Sequence, residues 1–122
     1  MAIAVLKNTP IHAVVAVSGT GVTETIDISS TIETASQTAS SPVVHIKGIQ
    51  WSVPTGNATV TRNSNVLWTL TGAYAHEFNG FSDNREASSN IVVVTPAGGG
   101  TVILELMKIS GYGDTQHVNP LT

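Results

Sequence analysis

The sequence predicts an all-β fold: an antiparallel β-sandwich or jelly-roll-like single domain with an extended N-terminal segment. Three observations predict it. Short apolar runs rich in Val, Ile and Thr recur at regular spacing, clusters of Gly, Pro, Asn and Ser separate them, and no stretch carries helical periodicity over a normal helix length. With 122 residues the chain has room for one hydrophobic core. We divide it into an N-terminal arm over 1–10, a β-sandwich domain over 11–112 and a C-terminal tail over 113–122.

Ile11 to Val17 is Val-rich, and Ser18-Gly19-Thr20-Gly21 suits a tight reversal, so the pair 11–17 and 22–28 predicts a hairpin. In the return segment Val22, Glu24, Ile26 and Ile28 alternate with Thr23, Thr25 and Asp27, the period of a half-buried strand. Residues 29–42 are small and polar and end at Pro42, which predicts the main connection. Within it Ser30 and Glu33 fit a capping box for one helical turn, with an irregular crossover as the alternative.

Val43 to Val53 returns to strand character, but its apolar set changes parity around Lys47-Gly48, as a β-bulge requires. Pro54-Thr55-Gly56-Asn57 predicts a turn, Ala58 to Arg62 a strand, Asn63-Ser64-Asn65 a second turn and Val66 to Leu70 its partner strand. Tyr74 to Phe81 mixes aromatic and polar residues and leads into a polar loop over 82–90. Ile91 to Thr95 and Thr101 to Ile109 are the most apolar strands and should be central. Pro96 to Gly100 between them predicts an antiparallel hairpin, and Gly111-Tyr112-Gly113 ends the last strand.

Charged residues are 11% of the chain, against roughly 25% in typical soluble domains, and the net charge is -3. The solvated surface is therefore built from Ser, Thr, Asn and Gly, and repels its neighbours weakly. Five Lys plus Arg, spread singly, make no basic stripe, so neither nucleic acid nor an anionic membrane is an expected partner. There is no cysteine for a disulfide or a thiolate site. The opening apolar run lacks a basic region and is too short for a signal core or a membrane span. The sequon Asn57-Ala58-Thr59 reads as turn composition.

His12, His45, His76 and His117 lack the spacing of a zinc site, so we expect no metal and no cofactor. Glu77, Asp83 and Glu86 are the one close group of acids; their ordinary role is solvation of the loop and pairing with Arg85. Gly98-Gly99-Gly100 lacks the Lys and the context of a phosphate loop, and no nucleophile elbow is present. Trp51 and Trp68 lie in apolar strand patterns, Trp68 being the better core residue. No catalytic residue is expected.

The stretches Ala58 to Asn63, Val66 to Gly72, Glu77-Phe78-Asn79-Gly80-Phe81, Asn90 to Val94, Gly100 to Leu106 and Ser110-Gly111-Tyr112 together resemble small virion structural proteins of tailed phages, especially cyanobacterial and marine ones. The resemblance covers residues 43–112. It implies assembly: a decoration or cement protein that binds the major capsid protein on the outer capsid surface, with a tail, neck or fibre component as the competing position. It also implies a homo-oligomer, with a trimer as first guess. Ile3, Val5, Leu6, Trp51, Tyr74 and Tyr112 are the expected partner contacts. Two further classes stand beside it: a carbohydrate-binding module for host attachment that stacks sugars on Trp51, Tyr74 or Tyr112, and a hydrolase built on acids near Glu77.

Overall fold

The computed structural model describes residues 2–78 and 81–114. It contains β1 (Ile3–Asn8), β2 (His12–Gly19), β3 (Thr23–Ile26), β4 (Gln37–Arg62), β5 (Asn65–Glu77), β6 (Ile91–Val94) and β7 (Gly100–Asp114). All pairings are antiparallel, and the described residues hold no helix. The strand order is β1-β2-β7-β4-β6-β3, with β5 pairing β4 off that path.

The 26-residue β4 organises everything else. Gly48 to Ser52 lie between β7 and the second half of β5, and its last residues, Thr59 to Arg62, lie between β6 and the first half of β5. Two rows result, β1-β2-β7-β4-β5 and β3-β6-β4-β5, continuous through β4 and β5. Irregularities let one strand serve both. The register skips Lys47 between Ile46 and Gly48, the bulge expected from the parity change. Against β5, Val53 faces Gly72 and Ala58 faces Leu70, so 54–57 bulge outward where a turn was predicted. Gly56 takes φ 80° there, a left-handed conformation that glycine adopts without a Cβ penalty.

Alternation decides which face is buried. Ala13, Val15 and Val17 of β2, Val102, Leu104 and Leu106 of β7, and Val44, Ile46 and Ile49 of β4 line one row. Ala58, Val60, Leu70, Ile91, Val93 and Ile26 line the other, and Ile28 and Ile32 follow β3 inward. These residues form one apolar cluster, so the curled sheet folds around a shared core. Each fully buried Val, Leu or Ile contributes roughly 1.5–3 kcal/mol relative to exposure.

Several local expectations are corrected. Strand β2 does not form a hairpin with β3; β2 pairs β1 and β7, whereas β3 pairs β6. The expected hairpin of 91–95 with 101–109 is also absent, because β6 and β7 join different rows. Both strands are nevertheless flanked on two sides, as their apolar content requires. The segment expected as an arm over 1–10 contains β1, an edge strand laid along β2. The connection shortens to 27–36, and its one α-type turn, closed by the Thr31 amide on Asp27 O at 2.8 Å, starts at Asp27 and not at the expected Ser30. Asp27 Oδ1 takes the Ser29 and Ser30 amides at 2.9 and 3.3 Å, and the Glu33 carboxylate takes the Ala39 amide at 2.5 Å. Strand β5 runs on through Glu77, and β7 continues past Gly111 to Asp114. Residues 115–122 of the expected tail, with His117, lie outside the described residues.

The turn at Asn63-Ser64 is as expected. Both residues have positive φ, 49° and 63°, between paired Arg62 and Asn65, the geometry of a two-residue hairpin that follows strand twist. The polar stretch 82–90 is a strap across the sheet. Asp83 and Ile46 exchange backbone hydrogen bonds at 2.8 and 3.0 Å, the Val44 amide donates to Ala87 O at 3.0 Å, and Glu86 accepts from Asn63 and Asn65 at 2.9 and 3.3 Å.

Candidate functional site

Strand β5 pairs β4 alone and so leaves an edge, and its second half carries aromatic residues at alternate positions: Tyr74, His76 and, just beyond, Phe78. The cross-strand register sets Trp51 of β4 directly opposite Tyr74, with ring centroids 5.9 Å apart. Trp68 packs its ring 5.7 Å from His76 and 5.5 Å from Phe78, and His76 meets Phe78 edge-on at 4.9 Å. Together they make an aromatic strip along the open side of the curled sheet. Trp68, His76, Glu77, Phe78, Phe81, Ser82 and Asp83 line a recess of about 430 Å³ within it.

The strip is held by hydrogen bonds. Trp51 Nε1 donates to Thr71 O at 2.9 Å, and Trp68 Nε1 donates to Asp83 Oδ2 at 2.8 Å. Arg85 closes on Asp83 at 2.7 Å and places its guanidinium 5.9 Å from the Trp68 ring centre. The Arg85 hydrogen bond holds the Asp83 carboxyl down at about 2, against the opposing effect of burial. His45 Nδ1 lies 2.9 Å from Ser82 Oγ.

The expected contact residues divide. Trp51 and Tyr74 come together, Tyr74 being 68% exposed and Trp51 half-buried against the core. Ile3, Val5 and Leu6 sit on edge strand β1; Val5 and Leu6 are exposed and Ile3 packs on the core. Tyr112 is turned inward. It is half-buried, packs against the core, and its hydroxyl donates to Ile28 O. Burial pushes its phenol up to about 12. Of the acids, Asp83 and Glu86 turn to different partners, Arg85 and the Asn63/Asn65 amides. No cluster of three metal-ligating side chains occurs among the described residues, nor a helix long and apolar enough to cross a membrane.

Two residues missed by sequence reasoning are buried cations. Arg62 continues the inward series Ala58, Val60 and is 0% exposed. Its guanidinium donates to Val44 O at 2.7 Å, Ala87 O at 2.8 Å and Ser89 O at 2.7 and 3.1 Å, clamping the strap. Burial pushes its pKa down, opposed by Asp83, Tyr112 and Glu86. Lys108 likewise continues Val102, Leu104, Leu106. In both series strand parity was the signal.

The opposite face of the first row points away from the core. Register aligns Ala16, Ile103, Gln50 and Ala75 in one line across four strands, and Ser18, Thr101, Ser52 and Ala73 in the next. These eight positions carry no charge, and six of them, Gln50, Ser52, Ala73, Ala75, Thr101 and Ile103, line a shallow depression of about 330 Å³ together with Trp51 and Tyr74.

No protein-family model and no curated protein matches the chain. Among solved structures, KdgF from Halomonas sp. aligns with 88% of this chain and 78% of its own, at 15% identity and a TM-score of 0.42.

Proposed function

We propose that this chain is a virion structural protein, a capsid decoration protein that binds the major capsid shell and stabilises it without catalysing a reaction. The observation that carries the reading is the uncharged patch on the outer face of the first row, the two register lines through Gln50 and Ser52, which ends at the next line with Glu105 and Glu77. Small Ala, Ser and Thr side chains there allow close approach of another protein, and no charge must be desolvated. Edge strand β1, with Val5 and Leu6 exposed, extends the same row. Many copies on one shell add avidity to modest interfaces. Counting the halves of β4 and β5 separately, β2-β7-β4-β5 faces β3-β6-β4-β5, the order of a jelly roll, which we adopt as the finer architecture.

The test is sedimentation of purified protein with undecorated capsids. Co-sedimentation that is lost on Ala16→Glu supports the reading, and failure of the wild-type protein to co-sediment refutes it. Light scattering on the free protein tests the proposed homotrimer. A tail, neck or fibre position would appear instead as binding to those purified parts.

A second reading is favoured by the exposed Tyr74 beside Trp51: a carbohydrate-binding module for attachment, in which sugar C–H faces stack on these rings. Glycan-array binding lost on Tyr74→Ala supports it; an array without binding dismisses it.

A further inference from the structure

Inside the first row, where β1 ends and β4 begins, the apolar core gives way to a small polar cluster around Lys108. The Lys108 side chain is carried inward by strand alternation, and the residue is 6% exposed. Its Nζ donates to Asn8 Oδ1 at 2.7 Å, Thr9 O at 2.8 Å and Gln37 Oε1 at 2.9 Å, and lies 5.1 Å from the Tyr112 ring centre. All three acceptors are neutral. The carboxylate of Glu33 acts on Lys108 through space, its own oxygen being held by the Ala39 amide.

We propose that Lys108 and Asn8 condense into an intramolecular isopeptide bond. The Asn8 carbonyl carbon lies one covalent bond beyond an oxygen already in contact with the amine, so nucleophile and electrophile are held together before reaction. A neutral amine keeps two N–H bonds. Thr9 O and Gln37 Oε1 hold those two, and the third direction, which in the ammonium donates to Asn8 Oδ1, becomes the lone pair that meets Cγ when the Asn8 amide turns its face to it.

The atoms balance without oxidant or cofactor. The Nζ lone pair attacks Cγ of Asn8 and the new C–N bond forms. The Cγ–Nδ2 bond then breaks, and a proton from Nζ passes to Nδ2, which leaves as ammonia. Burial supplies the reactive form by pushing the Lys108 ammonium down to about 8, with Glu33 opposing.

Gln37 presents the same functional group but is the poorer electrophile. Its Nε2 is engaged by Pro10 O at 2.8 Å, and its Oε1 is shared with the Thr34 amide at 3.2 Å. The Asn8 amide nitrogen has no partner among the described residues, and Asn8 is only half-buried, which gives ammonia an exit. The bond joins β1 to β7 across β2, so the edge strand cannot peel from the sheet. The inference is independent of the proposed capsid role.

Intact-mass measurement tests it. The full chain, purified and incubated above the lowered Lys108 value, should be lighter than its sequence mass by one ammonia, and digestion should yield a branched peptide joining Asn8 and Lys108. Lys108→Arg and Asn8→Ala should each keep their full mass. A folded wild-type chain at full sequence mass overturns the proposal, as does a branched peptide joining Lys108 to Gln37.

Discussion

Arg62→Met replaces a buried guanidinium by an apolar side chain of similar length and takes its hydrogen bonds from Val44 O, Ala87 O and Ser89 O, of which Ala87 O keeps the Val44 amide. Four hydrogen bonds from a charged donor, at about 1.5 kcal/mol each, amount to about 6 kcal/mol. Relief from burying a cation without an anionic partner returns several kcal/mol, leaving a net loss of about 3 kcal/mol. For a urea dependence of roughly 1.5 kcal/mol per molar, the unfolding midpoint falls by about 2 M. Urea titration followed by circular dichroism reads that shift. Hydrogen exchange at the Val44 amide, bonded to Ala87 O, should accelerate as the strap loosens. A variant as stable as wild type would refute the reasoning, because it would mean that desolvation of the guanidinium cancels all four bonds.

Asp83→Asn removes the ion pair with Arg85 and weakens the acceptor for Trp68 Nε1. Because the folded Asp83 value is lowered to about 2 from 3.8, its contribution is present above the unfolded value and lost as pH falls through the folded one. Wild-type urea midpoints should therefore drop between about pH 4 and pH 2 more steeply than those of the variant; parallel curves would contradict the assignment. Gly111→Ala should destabilise by about 3 kcal/mol, since φ is 86° and the new Cβ would fall 2.5 Å from Pro42 Cα and 2.8 Å from Ser40 O and Ser41 O. Thermal melts check this, and an unchanged midpoint would show that the β4–β7 register relaxes there.

Local features were legible because local chemistry causes them. The parity change at Lys47 follows from which side chains are apolar, and the Asn63-Ser64 turn from residues that tolerate positive φ. Strand partners were not legible. Ser18 to Gly21 and Pro96 to Gly100 have the composition of hairpin turns, yet each carries the chain from one row to the other, and the same residues serve a crossover. The pairing of β2 with β7, Ala13 beside Leu106, depends on burial on both sides of a distant strand and leaves no mark near either. Pro54 to Asn57 reads as a reversal for the same reason, although β4 passes through it. Of the aromatic strip, Trp51 and Tyr74 were named but not paired. Their opposition follows from the count of residues along β4 and β5 once the 54–57 bulge is included. The inward Tyr112 was legible as well, since it shares the parity of Val102, Leu104, Leu106 and Lys108 along β7.

The pairing of β2 with β7 also bears on how the chain acquires its structure during synthesis. Paired residues such as Val17 and Val102 stand far apart in sequence, so the first row has no centre until β7 has emerged from the ribosome. Until then β1 and β2 can pair only with each other, and a two-stranded ribbon is marginal in water. The second row, whose β4–β5 turn is local, is free to form earlier. Long-range closure of this kind slows folding and prolongs the exposure of Val-rich strands. The nascent chain is thus most vulnerable to aggregation through β1 and β2, for as long as the residues between β2 and β7 are being added.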